Sequence, residues 1–118
     1  MTQFKSTTAY PPSVNHYWYH AKGKHFITAK GKSYRASVMA EIVRQKLCKR
    51  LSRRIGVRVS VYPPDRRKRD IDNILKAPLD ALTHGGMIED DGLIDVLHIE
   101  RREVVKGGKL EITVWEIE

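Results

Sequence analysis

The chain has 118 residues and a formal net charge of +8, with 22 Lys and Arg against 14 Asp and Glu. That length sets one domain with one modest core, and the charge points to an anionic partner, nucleic acid first among them. A single cysteine, Cys48, excludes an intramolecular disulfide and a cysteine-built zinc cage. No run of about 18 apolar residues is present, so no membrane-spanning helix is expected. Residues 1–5 lack the basic-then-apolar pattern of a signal peptide. The lone cysteine fits a reducing cytoplasm, the expected compartment.

Residues 1–28 read as short extended pieces broken by Pro11-Pro12 and Gly23, with an aromatic and polar cluster at Asn15, His16, Tyr17, Trp18, Tyr19 and His20. A short strand is expected over 24–28. Ser33 is a candidate N-cap for a helix over 34–52, whose buried stripe would be Ala36, Met39, Ala40, Val43 and Leu47 at helical spacing. Gly56 breaks that pattern. Val57, Val59 and Val61 then alternate with Arg58, Ser60 and Tyr62, the signature of a half-buried strand that Pro63-Pro64 ends.

A second helix is expected from about 72 to 84, with Gly85 as its C′ stop. Its apolar face is Ile71, Leu75, Pro78, Leu79 and Leu82, and Asp72, Lys76, Asp80 and Thr83 lie opposite. Proline deep in a helix costs about 3 kcal/mol, so Pro78 predicts a kink or a late helix start. After a loop over 86–92, strands at 93–105 and 110–117 flank Lys106-Gly107-Gly108-Lys109, a Gly-Gly hairpin turn. The order predicts one α+β (mixed α/β) domain over 1–118: a mixed sheet, two main helices and a C-terminal β-hairpin.

The cations gather at 44–54, 66–69 and 101–109. The run Arg66-Arg67-Lys68-Arg69 ends directly against Asp70, followed by Asp72 and then Lys76. A surface meant only for phosphate gains nothing from carboxylates, which repel the same polyanion. A divalent metal between them reverses that repulsion and drives phosphodiester hydrolysis. Two readings are open at each position. Asp70 and Asp72 are metal ligands, or Asp72 is an N-cap and Asp70 its solvated neighbour. Lys76 holds the scissile phosphate, or forms an i, i+4 pair with Asp72. Glu89-Asp90-Asp91 supplies a third carboxylate, or forms an ordinary turn before Gly92. Tyr17, Trp18 and Tyr19 stack on unpaired bases, or pack in a core. The five histidines show no metal-ligand spacing.

The chain resembles the RusA-type Holliday junction resolvases, small endonucleases often carried by phages and prophages. The resemblance runs nearly end to end. It rests on Pro11-Pro12-Ser13-Val14-Asn15, the block Pro64 to Asn73, Lys76 with Asp80-Ala81-Leu82, the Asp90-Asp91 pair, and Lys106-Gly107-Gly108. It implies a homodimer that binds four-way junction DNA and, with Mg²⁺ (Mn²⁺ as a substitute), makes paired symmetric nicks in DNA recombination and repair. Residue by residue it implies that Asp70, Asp72 and Asp91 ligate metal, with Asp90 in reserve, and that Lys76 is catalytic. Asn15 would support the site or contact DNA beside Arg66, Arg67, Lys68 and Arg69. The dimer interface is expected at the hairpin's apolar residues or the amino-terminal aromatics. The rival reading is a non-catalytic DNA-binding module using the same basic patch, in which Asp70→Asn would leave function intact.

Overall fold

The structure is a computed structural model that describes residues 2–118. Six strands are formed: β1 (Gln3–Ala9), β2 (Trp18–Ala21), β3 (Lys24–Ile27), β4 (Ile55–Tyr62), β5 (Ile94–Arg101) and β6 (Lys109–Glu116). The helices are α1 (Val14–Tyr17), α2 (Ala29–Arg44) and α3 (Lys76–His84), with 3₁₀ turns at Ile71–Ile74 and Asp91–Leu93. A four-stranded sheet runs β1-β6-β4-β5, and β2 and β3 form a separate two-stranded ribbon. β4 pairs in parallel with β5, and antiparallel with β6, so the sheet is mixed as expected. Among the described residues no helix is long and apolar enough to cross a membrane.

The alternation in β4 sets the core. Val57, Val59 and Val61 lie opposite Val114, Ile112 and Leu110 of β6, and Phe4, Ser6 and Thr8 of β1 continue the same three rows. The β4 and β6 members are essentially inaccessible to solvent, and burying each such side chain contributes about 1.5–3 kcal/mol. Thr8 closes its row with a polar contact, its hydroxyl 3.1 Å from that of Tyr34 on α2.

Three expectations are corrected. The first helix begins at Ala29, capped by the Thr28 side chain accepting from Gly31 N, and ends at Arg44 rather than running over 34–52 from Ser33. Its buried face is Gly31, Tyr34, Val38 and Ile42. The expected stripe faces outward instead, with Met39 42% and Val43 71% exposed, while Leu47 is buried beyond the helix end. The larger side chains won the core side, and Gly31 permits the approach, since a Cβ there would stand 2.7 Å from Tyr17 O.

The C-terminal hairpin is not formed, because β6 pairs with β4 and β1 and not with β5. Beyond β5 the chain follows the exit of β4, with Arg102 N donating to Val61 O at 2.7 Å and Val105 N to Pro63 O at 2.9 Å. Gly107 and Gly108, both at positive φ, then turn it back along the other side of β4. β4 is buried almost throughout and takes the interior place, whereas β5 exposes residues on both faces and suits an edge.

The third correction is local. Gly85 is the C-cap of α3 with φ −75°, and Gly86, at φ +80°, makes the left-handed stop. The late start signalled by Pro78 is present. The segment begins as a 3₁₀ turn and becomes α-helical only at Lys76, leaving Pro78 third in α3, where an N–H has no intrahelical acceptor.

One polar cluster ties the three helices together. Asp80 of α3 accepts from Nε and Nη2 of Arg35 on α2 at 3.3 and 2.8 Å, and from the Tyr17 hydroxyl at the end of α1. Burial, and then the bond to Asp80, push the Tyr17 hydroxyl up to about 12. Tyr17 is therefore core rather than a base-stacking platform.

Candidate active site

The basic run leaves β4 through buried Pro63 and folds around Asp65. That carboxylate accepts from Arg67 N at 2.9 Å and pairs with Arg69 Nη1 at 2.7 Å. The Arg69 guanidinium, followed by the Arg67 amide, holds its pKa down at about 2. Arg69 also donates to the carbonyls of Asp65 and Arg67, lies 5.7 Å over the Tyr10 ring, and has its own carbonyl held by Arg101 Nη2 at 2.5 Å.

The four cations expected to meet DNA are thus divided. Arg69 turns inward and pins the loop, whereas Arg66, Arg67 and Lys68 are exposed. Arg67 keeps only a 3.7 Å contact to Asp65. Arg101 and Arg102, from the far end of β5, join Arg66–Arg69 around a groove of about 650 Å³. Two of the three cation clusters therefore form one surface, an assembly that depends on β5 lying parallel beside β4.

Asp70 follows in extended conformation (φ −78°, ψ 126°) and flanks the 3₁₀ turn that contains Asp72. Backbone bonds alone close this turn, from Asn73 N to Asp70 O at 3.2 Å and from Leu75 N to Asp72 O at 3.3 Å. Neither side chain caps it, and α3 has no side-chain cap either. Among the described residues neither carboxylate holds a cation, and Lys76 makes no ion pair with Asp72. Glu41, Asp65, Asp80, Asp95, Glu100 and Glu116 each hold an arginine. Among the described residues Glu89, Asp90, Asp91, Glu103, Glu111 and Glu118 are also without a cation, and of these only Glu103 directly follows cations, Arg101 and Arg102. The capping and i, i+4 explanations for Asp70, Asp72 and Lys76 are therefore not realised.

The second acidic segment separates in the same way. Asp90 caps the 3₁₀ turn Asp91–Leu93, accepting from Gly92 N at 3.1 Å, as a turn former does. Asp91 begins that turn with its carboxylate unpaired among the described residues.

α1 lies between two cavities. Asp70 borders one of about 590 Å³ with Arg67, Lys68, Arg69, Asn73, Ser13 and His16. Lys76 borders another of about 560 Å³ with Asn15, Trp18, His20 and His25. The structure thus brings the Pro-Pro-Ser-Val-Asn segment against the 66–76 segment, and Asn15 shares a cavity with Lys76. Asp72 and Asp91 line neither cavity. Among the described residues no group of three His, Cys, Asp or Glu stands close enough to hold a metal ion. The donor chemistry still fits a hard cation, since Mg²⁺ usually takes one or two carboxylates and keeps water and phosphate oxygens in its other positions.

The histidines, among them His16, His20 and His25, showed no metal-ligand spacing in the sequence, and Tyr10 and Arg101 were not singled out there as site residues. His16 Nδ1 is 3.1 Å from Ser13 Oγ beside Asp70, a contact the Pro-Pro-Ser motif signals only by its proximity to His16 in the chain.

The family model for Endodeoxyribonuclease RusA matches residues 9–115, a span that includes Asn15, Asp70, Asp72, Lys76 and Asp91. Over 118 residues the chain is 39% identical to a protein of Enterobacteria phage HK97 named Crossover junction endodeoxyribonuclease rusA, covering 100% of this chain and 98% of the phage protein. Proteins of the same name from Shigella sonnei (strain Ss046) and Escherichia coli (strain K12) are 38% and 37% identical, each over 99% of this chain and 98% of its relative.

Proposed function

Because the chain belongs to the Endodeoxyribonuclease RusA family, we propose that it resolves four-way DNA junctions by paired symmetric nicks, in recombination and repair of cytoplasmic DNA. The observation that carries this reading is the pair Asp70 and Asp72, left without cations directly after four of them. Among the described residues folding gives these carboxylates no cap and no ion pair, and phosphate binding alone would be weakened by them.

Asp70 and Asp72 would hold Mg²⁺, with Mn²⁺ as a substitute, Asp91 would have to approach them to serve as the third ligand, and Asp90 is retained as the turn cap. Bound there, the ion would supply Lewis-acid stabilisation at the scissile phosphate and favour attack by water. The chain's own residues do the remaining work. Arg66, Arg67, Lys68, Arg101 and Arg102 hold the backbone of the incoming arm, and Arg69 with Asp65 fixes the loop that presents them. Lys76, at the first position of α3, offers an exposed ammonium to the charge that builds on the phosphate oxygens. Asn15 contacts DNA in the cavity it shares with Lys76.

Paired nicks related by two-fold symmetry call for a homodimer. The monomer leaves apolar surface open on α2 (Met39, Val43) and on edge strand β5 (Val96, Leu97), where a second copy would bury area. Val43→Glu and Leu97→Glu, compared by sedimentation, test which of the two it uses.

The decisive test incubates a labelled four-way junction and a matched linear duplex with Mg²⁺ or with EDTA, with Asp70→Asn protein in parallel. Paired nicks in the junction alone, dependent on metal and lost in the variant, are expected. Junction binding without nicking in any divalent metal would refute the nuclease reading and leave a DNA-binding module.

A further inference from the structure

The β2–β3 ribbon lies outside the main sheet and is closed by Lys22-Gly23, both at positive φ (51° and 72°), as a tight two-residue hairpin turn requires. Its register pairs Trp18 with Ile27, Tyr19 with Phe26 and His20 with His25. Alternation sends these pairs to opposite faces. Trp18, His20 and His25 border the cavity that contains Lys76, and Tyr19 reaches its edge. Tyr19 and Phe26 form the other face, 48% and 39% exposed, with their rings stacked at 5.3 Å and an interplanar angle of 23°. Lys22 and Lys24 at the tip are exposed. No Asp or Glu occurs in the first 40 residues, which carry Lys5, Lys22, Lys24, Lys30, Lys32 and Arg35.

We infer that this ribbon receives an unstacked nucleobase at the branch point, with Tyr19 and Phe26 as the stacking platform and Lys22 and Lys24 on the adjacent phosphates. The inference rests on the junction-resolvase reading and deepens it. Two aromatic rings stacked in solvent on a surface without carboxylates match the chemistry of unpaired nucleic acid, in which a π-face and a phosphate come together. A linear duplex hides its base faces. A branch point exposes them, and that difference gives the ribbon a part in selecting junctions over duplex. Tyr19, though not Phe26, also lines the cavity that contains Lys76, so the platform lies at the edge of that cavity, near the strand to be cut.

The test uses Asp70→Asn protein, to prevent cutting, and a four-way junction with 2-aminopurine at the branch point. The Tyr19→Ala/Phe26→Ala double variant is expected to weaken junction binding roughly tenfold or more, from the usual worth of base–aromatic stacking. It should abolish the change in 2-aminopurine fluorescence and move duplex affinity less than about twofold. Tyr19→Trp should restore the signal. Lys22→Ala and Lys24→Ala should weaken both substrates and reduce the slope of log K against log salt by about 0.9 each. Equal losses on junction and duplex, or unchanged fluorescence and affinity, would overturn the inference. Thermal denaturation confirms that the variants fold, since all four side chains are exposed. With Asp70 restored, a wild-type protein that nicks junctions while the double variant nicks them equally well would refute the ribbon alone. A wild type that nicks nothing would refute the resolvase reading instead.

Discussion

Asp80→Asn tests whether the junction of the three helices is held by charge. Asp80 and Arg35 are only 15% and 21% exposed, and the same oxygen that accepts from Arg35 accepts the Tyr17 hydroxyl. Removing one partner of a buried pair costs about 3–5 kcal/mol. The residual solvent contact of both side chains and the acceptor oxygen that asparagine retains reduce this to about 2 kcal/mol. At about 2.1 cal/mol/K per residue, unfolding this chain carries roughly 0.25 kcal/mol per degree, so the melting temperature should fall by about 8 °C. Calorimetry measures the shift. The triple variant Tyr17→Phe/Arg35→Met/Asp80→Leu, which removes every polar partner together, should recover most of the loss. A fall below about 2 °C for Asp80→Asn, or a triple variant no more stable than the single one, would refute the reasoning. The cluster ties α1, which carries Asn15, to α3, which begins at Lys76, so its loss should also raise the DNA concentration needed for half-maximal nicking.

Three further outcomes follow from the geometry. The Asp65 carboxyl is depressed to about 2 by Arg69 and the Arg67 amide, so its contribution is complete above the unfolded value near 3.8 and is lost as pH falls through the folded one. The difference in urea midpoint between wild type and Asp65→Asn should be constant above about pH 5 and vanish toward pH 2. Arg66→Ala and Lys68→Ala, exposed and unpaired among the described residues, should each flatten the salt dependence of junction binding by about 0.9 in log–log slope without lowering the melting temperature. Arg69→Ala should lower it. Gly56→Ala places a Cβ 2.3 Å from the Trp115 ring in the central strand, so Trp115 must leave its place beside Arg58. The overpacking should cost about 1–3 kcal/mol, read by denaturation and by near-ultraviolet circular dichroism.

The parts of the fold legible in the sequence are those a single segment decides. Val57, Val59 and Val61 alternate as a strand with one buried face, and Pro78 limited its helix to a kink or a late start, of which the late start is formed. What required the whole chain was not legible. α2 carries two apolar stripes, and the one that faces the core is shown only by the assembled chain, in which Gly31 packs on Tyr17, Tyr34 meets Thr8 and Arg35 reaches Asp80. Alternation likewise marked β6 as a strand without naming its partner. A hairpin is the nearest solution in sequence, yet the valine-rich β4 gains more by lying between two strands than by standing at an edge.

The same distinction runs through the site. Asp70 and Asp72 were visible because like-signed repulsion from phosphate makes carboxylates a poor choice there unless something offsets it, an argument that needs only neighbours in the chain. The inward role of Arg69 was not visible, because a run of four cations looks uniform until Asp65, Tyr10 and Arg101 single one of them out. That division has a mechanical consequence. One arginine holds the loop in place, and on the proposed function Arg66 and Lys68, with Arg67 only loosely held by Asp65, would exchange counterions for a DNA backbone. A loop with all four turned outward would have to be ordered by the DNA itself, at the cost of its conformational entropy at every encounter.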